Sequence, residues 1–402
     1  MSRKGARVLW MLPVLALLLL LGWQAIRHYL DASGTHRTVS PPRQYREAAV
    51  RLIRDPLDLQ AALVLFHGSS ASTVAVDRQQ LASHLERIGP AYSPARLALA
   101  DFRAQQGDAI RALEALNVVL VRNKAARTPL LPLLHHWAGE AQVAPRMQAF
   151  AQEAPAWWPA FFEYLCEHET DLAVVRDFYR RRLAASLPLS GWERSRYVNR
   201  LIRDEQWQEA WLVWRSGVPL AELERNGLLQ DGGFESDSSN QGFYWHLLPT
   251  TDFDIRRDIT YGMEGRRALH ILFRSPDRSL AFNHVWQRLV LPPDTYVLGM
   301  HYRLDDLGGG GLVWRMRCMS DGRVLGTSMP LQGHGDWEAL QFTFTVPRAP
   351  ACQAQLLRLE AAGEYPHERV FSGGLWFDEL VLAPKSHLTT AVARAFRSGQ
   401  GE

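Results

Sequence analysis

Four arginines stand where they could take hold of an anion, and one glutamate stands among them. In GLVWRMRCM, Arg315 and Arg317 alternate with Leu312, Trp314, Met316 and Cys318. In TYVLGMHYR, His301 and Arg303 alternate with Tyr296, Leu298, Met300 and Tyr302. In QLLRLE, Arg358 and Glu360 share one side. Alternation with a period of two sends the apolar set into a core and the other set outward. Planar guanidinium forks match carboxylates, sulfates and phosphates, so the chemistry expected is non-covalent capture. Trp286 and Tyr244 could add flat rings to such a surface. The plainer alternative is a solvated sheet face whose charges discourage aggregation.

Covalent chemistry finds no comparable support. GGGGL at 308–312 has no Lys-Ser/Thr partner and no following helix, so it reads as a loop and not a phosphate cradle. His135 and His136 are adjacent and cannot ligate one metal from one helical face. No H-E-x-x-H, G-x-S-x-G or zinc-type cysteine spacing occurs. Glu360 and Glu364 read as a strand residue and a loop residue, not as a glycosidase pair. The chain is therefore expected not to be an enzyme.

The elements that must position these residues follow from composition and periodicity. An apolar fraction of 47% with 22% charged residues is that of a globular protein. A net charge of +3 is too small to suggest nucleic acid, which needs a concentrated basic surface. Residues 1–30 read as a cytoplasmic tip and a transmembrane anchor. Val8 to Ile26 is an almost uninterrupted apolar run, close to the roughly 20 residues that span a bilayer. Arg3, Lys4 and Arg7 precede it and would keep the N-terminus in the cytoplasm. The expectation is a single-pass protein of the inner membrane, its bulk in the periplasm or outside. No A-x-A-like site argues for cleavage. Of the three cysteines, Cys318 and Cys352 fall in one domain and form a plausible disulfide in an oxidising compartment, with two free core thiols as the alternative. Cys166 reads as a buried thiol.

Residues 31–44 read as a polar linker and 45–224 as a helical-repeat domain. ARLALADFRAQQGDAIRALEALNVVLV reads as two antiparallel helices, with Gly107 ending the first and Asp108 starting the second. A hairpin from Trp157 to Ser186 and another around RDEQ follow. Ala100 and Ala112 flank Gly107 as in tetratricopeptide repeats, and Ala210 holds the place of Ala112 in the last hairpin, 98 residues on (210 − 112). Arg96 and Val198 depart from the residues usual in such repeats. The resemblance implies a solenoid of helical hairpins that binds protein partners, or a spacer.

Residues 225–384 change period. Short alternating runs separated by Gly, Pro, Asp and Ser indicate an antiparallel sandwich or barrel, and 385–402 form a tail. The ordered set DGGFE with Trp245, GRRALHILF, WQRLVLPPDTYVL, DWEALQFTFTV and LWFDELVL resembles the jelly-roll carbohydrate-binding modules associated with xylanases and cellulases. That resemblance implies that Glu235 and Asp378 meet and hold a structural calcium ion, with capping of turns as the alternative. Calcium takes roughly six to eight hard oxygen ligands. It also implies that Trp245 and Trp337 pack the core. Asp231 and Glu379 depart from the usual residues but keep oxygen ligands.

The reading is thus multi-domain α plus all-β: a transmembrane helix, a helical-hairpin solenoid, then an antiparallel β-sandwich of jelly-roll type. The function expected is a non-catalytic envelope accessory protein. Its sandwich would bind a glycan or polysaccharide, anionic if the arginines share one sheet, and its hairpins would bind protein partners in polysaccharide synthesis, assembly or export. The alternative is a structural scaffold whose sandwich contacts protein.

Overall fold

The computed structural model describes residues 41–68, 77–237, 240–275, 277–348 and 352–387. The expected anchor, Val8 to Ile26, lies outside these. The membrane placement needs correction: among the described residues no helix is long and apolar enough to cross a membrane. The single-pass, inner-membrane expectation is therefore not upheld.

The chain divides into two compact units between Glu193 and Arg194. The first is helical: α1 (Pro41–Arg54), α2 (Leu59–Gly68), α3 (Arg78–Ile88), α4 (Ser93–Gln105), α5 (Ala109–Arg122), α6 (Arg127–Ala138), α7 (Ala144–Glu153), α8 (Trp158–His168) and α9 (Leu172–Leu183). Short polar stops separate them. Gly107 takes φ +78° after α4, and the Asp108 side chain accepts from the Arg111 N–H at the start of α5. Asp77 and Asp171 cap α3 and α9 in the same way. Ala100 and Ala112 are buried, as close helix approach requires. A buried ion pair fastens the chain after α9. Glu193 accepts from Arg182, Trp158 and Ser190, while Arg182 also donates to the carbonyls of Leu187 and Pro188. Both charges are fully bonded, which a buried pair requires.

The second unit begins within α10 (Gly191–Arg203) and continues with α11 (Trp207–Arg215) and α12 (Leu220–Asn226). Among the described residues nine strands follow, all antiparallel: β1 (His246–Leu247), β2 (Phe253–Ile259), β3 (Arg267–Phe273), β4 (Val285–Leu289), β5 (Thr295–Cys318), β6 (Val324–Thr327), β7 (Leu331–Thr345), β8 (Gln355–Ala361) and β9 (Ser372–Pro384). Strand β5 belongs to two layers. Its first half, to about residue 307, pairs with β7 and β9, which continues to β3 and β2. Its last residues, 312–318, pair with β6 and with β8, which continues to β4 and β1. The glycine run 308–311 is therefore not a loop, as read above, but the corner inside one strand. Gly309 takes φ +99°, and any side chain there would strike the Val370 carbonyl at 2.5 Å.

The inner faces hold the residues that alternation assigned to them. Tyr296, Leu298, Met300, Tyr302, Leu312, Trp314, Met316, Phe342, Phe344 and Val346 are buried in one apolar core with Trp245 and Phe377. Cys318 and Cys352 form a disulfide with Cα atoms 5.4 Å apart. Cys352 lies just before β8, so the strand's alternation does not govern it. Cys166 is buried and outside the disulfide.

Candidate functional site

The two layers present two outer faces, and the expected arginines divide between them. On the second layer, register places His246 beside Trp286, Trp286 beside Arg358, and Arg358 beside Arg315. Arg317 lies two residues along on the same side of β5. Glu360 is the centre of this group. Arg317 grips it with both arms of its fork, Nε to Oε1 and Nη2 to Oε2, each at 2.7 Å. Arg315 donates from Nη1 to Oε2 at 2.7 Å, and Arg358 donates from Nε to Oε1 at 2.7 Å. Burial on its own would raise the pKa of Glu360, but the bonds from Arg317, Arg315 and Arg358 outweigh it and bring its pKa down to about 2. The three arginine side chains stay 23–28% exposed. Three guanidiniums against one carboxylate leave this cluster two charges positive.

At the edge of the same face His246 stacks on Trp286, with centroids 3.6 Å apart and planes 6° from parallel. The Arg288 guanidinium lies 4.5 Å from the Trp286 centroid and donates to His246 Nε2. Burial, then the charge of Arg288, lowers the His246 pKa to about 4, so the ring is neutral and accepts that bond. Trp286 is thus not a wholly open platform. Tyr244 is not one either, since its ring packs edge-on to Trp214 at 4.9 Å.

Arg303 sits on the other outer face, apart from the other three. Arg256, His270, Trp376 and Arg303 form a cross-strand row. His270 stacks on Trp376 at 3.8 Å, and the Arg303 guanidinium lies 4.5 Å from the Trp376 centroid and 5.6 Å from that of Trp337. Carboxylates answer each base: Asp258 bonds His270, and Asp305 accepts from Trp376 and Arg303. Trp337 is half-buried on this outer side and does not pack in the core, contrary to the expectation from the resemblance.

Asp378 also lies on this side, directly opposite His301 in the register. It is fully buried; Oδ1 accepts from the Glu379 N–H and Oδ2 has no hydrogen-bond partner. Burial, with the charges of Glu379, Glu235 and Asp231 adding to it, pushes its pKa up to about 8. Glu235 accepts from the backbone N–H groups of Arg266 and Arg267 at 2.6 and 2.7 Å. A Cβ on Gly233 would lie 3.6 Å from Asp378 Oδ1 and 4.0 Å from Glu235 Cγ, so the two acidic residues flank one glycine. The segment is held by the Leu380 N–H donating to the Gly232 carbonyl. Oxygen donors with an orphaned buried carboxylate oxygen fit a hard cation in kind. Among the described residues no group of three or more metal-ligating side chains stands ready, so backbone carbonyls would have to complete such a shell.

The structure thus brings Arg315, Arg317, Arg358, Glu360 and Trp286 to one face and Arg303 to the other. Sequence reasoning missed His246, Arg288, His270 and Trp376, whose partners lie across strands and leave no local pattern. The arrangement is that of an antiparallel β-sandwich with two ordered polar faces. Similar solved structures include a CBM4 module (14% identity, covering 39% of this chain and 99% of that chain, TM-score 0.27). They also include the CBM22-1 xylan-binding domain of Paenibacillus barcinonensis Xyn10C (15% identity, 40% and 95% covered, TM-score 0.26). A third is TmCBM61 in complex with beta-1,4-galactotriose (14% identity, 40% and 99% covered, TM-score 0.26). No family model and no curated protein matches the chain.

Proposed function

We propose that the outer face of the second layer binds an acidic polysaccharide, with Arg315, Arg317 and Arg358 meeting its charges and Trp286 bordering them. The observation that supports this is the imbalance of that face: three partly exposed guanidiniums on adjacent strands share a single carboxylate. Rigid strands hold them in place, so little freedom is lost on binding. In this reading the chain does no chemistry of its own. Its helical hairpins, tetratricopeptide-like in their small buried alanines, serve protein partners as an accessory factor in handling the polymer. A calcium ion held by Glu235 and Asp378 would tie the start of the sandwich to its last strand and supply the positive charge that Asp378 lacks.

The second reading, a scaffold whose sandwich contacts protein, draws on the same cluster: Glu360 already answers much of its charge. Binding of the full-length protein to an array of acidic and neutral glycans separates the two. Retention on acidic polymers that weakens with salt is expected. Binding to no polymer would remove the glycan reading. For the metal, the melting transition is compared with and without a chelator; an unmoved transition would reject calcium.

A further inference from the structure

Glu360 does more than neutralise. Its carboxylate occupies the recognition forks of the arginines around it. Arg317 spends Nε and Nη2 on Glu360 and Nη1 on the Gly322 carbonyl. Arg358 directs both Nε and Nη2 at Glu360 Oε1. Arg315 spends Nη1 on Glu360 Oε2 and the Ala361 carbonyl. A guanidinium carries five N–H donors in a fixed fork, and bidentate pairing uses two parallel ones. With the forks of Arg317 and Arg358 taken, a ligand meets mainly the remaining N–H groups of Arg315 and Arg358. The Glu360 side chain is only 8% exposed, and β8 lies between β4 and β5 in the layer, so it is not free to swing aside.

We infer that Glu360 is a specificity-determining residue of this face, selecting carboxylate-bearing (uronic acid) polymers over sulfated ones; this rests on the glycan reading above. Sulfate groups and dense polyanions gain most from open forks and from net charge, and Glu360 withdraws both. A sparser carboxylate polymer can be held by single N–H donors and asks for less. Glu360 acts through the arginines, as a positioning and excluding group that need not touch the ligand.

The test compares full-length wild type, Glu360→Gln and Glu360→Asp against two probes, polygalacturonate and heparin, across a range of salt. Glutamine keeps the shape and one acceptor while adding one net positive charge. The expected result is heparin affinity raised about tenfold in Glu360→Gln, with a steeper salt dependence, since each further neutralised anion releases counterions. Polygalacturonate affinity should change much less, and Glu360→Asp, which keeps the charge but shortens the side chain that fills the forks, should move the heparin-to-polygalacturonate ratio in the same direction by a smaller factor. The inference is overturned if Glu360→Gln weakens both polymers, as loss of Arg315 and Arg317 would, or shifts both by the same factor. Failure of the underlying reading looks different: wild type and Glu360→Gln would both bind neither polymer while melting as folded proteins. If Glu360→Gln does not fold, the decision passes to Glu360→Asp, whose shorter side chain loosens the forks. Its heparin-to-polygalacturonate ratio should then rise above wild type, and an unchanged ratio overturns the inference.

Discussion

Two buried carboxylates on opposite faces of one sandwich have opposite ionisation. Glu360 is surrounded by three guanidiniums and stays charged down to a pKa of about 2. Asp378 has neighbouring carboxylates in place of guanidiniums, and its pKa climbs to about 8. Both lie on β-strands and both are removed from water. Burial alone therefore does not decide the charge of a carboxyl group; the supply of counter-charge does. The second face has positive charge to spare. The first balances its bases with Asp258 and Asp305 and leaves Asp378 without a cation.

The largest expected effect tests whether the stacked rows have different duties. Trp376→Ala should cost stability on the order of 3 kcal/mol, because the ring is buried between His270 and Arg303. It should leave acidic-polymer binding intact, and Trp286→Ala should destabilise less. Equal losses by denaturant titration would erase that distinction. Next, Arg315→Ala with Arg317→Ala should weaken acidic-polymer binding by about thirtyfold or more, from roughly 2 kcal/mol of charged hydrogen bonding. Arg303→Ala, on the other face, should not. Matching losses from both would mean that the faces do not act separately.

The pH dependence of stability sharpens the contrast. The folded-state pKa of Glu360, about 2, lies below its usual 4.5. Its contribution is present above pH 4.5 and disappears as pH falls toward 2. The folded-state pKa of Asp378, about 8, lies above its usual 3.8. Its contribution is present below pH 3.8 and is lost as pH rises through 8. Chelator-treated protein should therefore lose stability between pH 4 and 8, and Asp378→Asn should flatten that slope. Glu360→Gln should flatten only the acid limb. Melting curves across pH that show one shared limb would refute the contrast. The smallest effect expected is added calcium steadying wild type at pH 8 but not Asp378→Asn.

Much of this was legible before any coordinates. Strict alternation in GLVWRMRCM sorted core from surface, because a strand can turn only every second side chain inward. The polar strand FDIRRDI (β2) escaped notice: it lies at the end of the strand order and carries four charged residues among seven. The two-residue β1 is too short to have a period. The Gly308–Gly311 run looked like a loop since glycine marks turns far more often than corners within strands. That misreading hid the division of the arginines, because Arg303 and Arg315 share one strand but face out from different layers. Glu235 and Asp378 were paired by family resemblance, and Gly233 between them shows the shared neighbourhood. The anchor expected at Val8–Ile26 rested on hydropathy alone, and the described helices supply no membrane span.

Strand β5 has a consequence for how the sandwich comes apart. It is hydrogen-bonded to β6, β7, β8 and β9, so neither layer can be completed or dismantled without it. The two layers are therefore expected to unfold in one cooperative event. Amide hydrogens along Tyr296–Tyr302 and Val313–Met316 should then exchange with solvent at a common, slowest rate. The glycine corner thus lets a single strand tie both layers of the sandwich together.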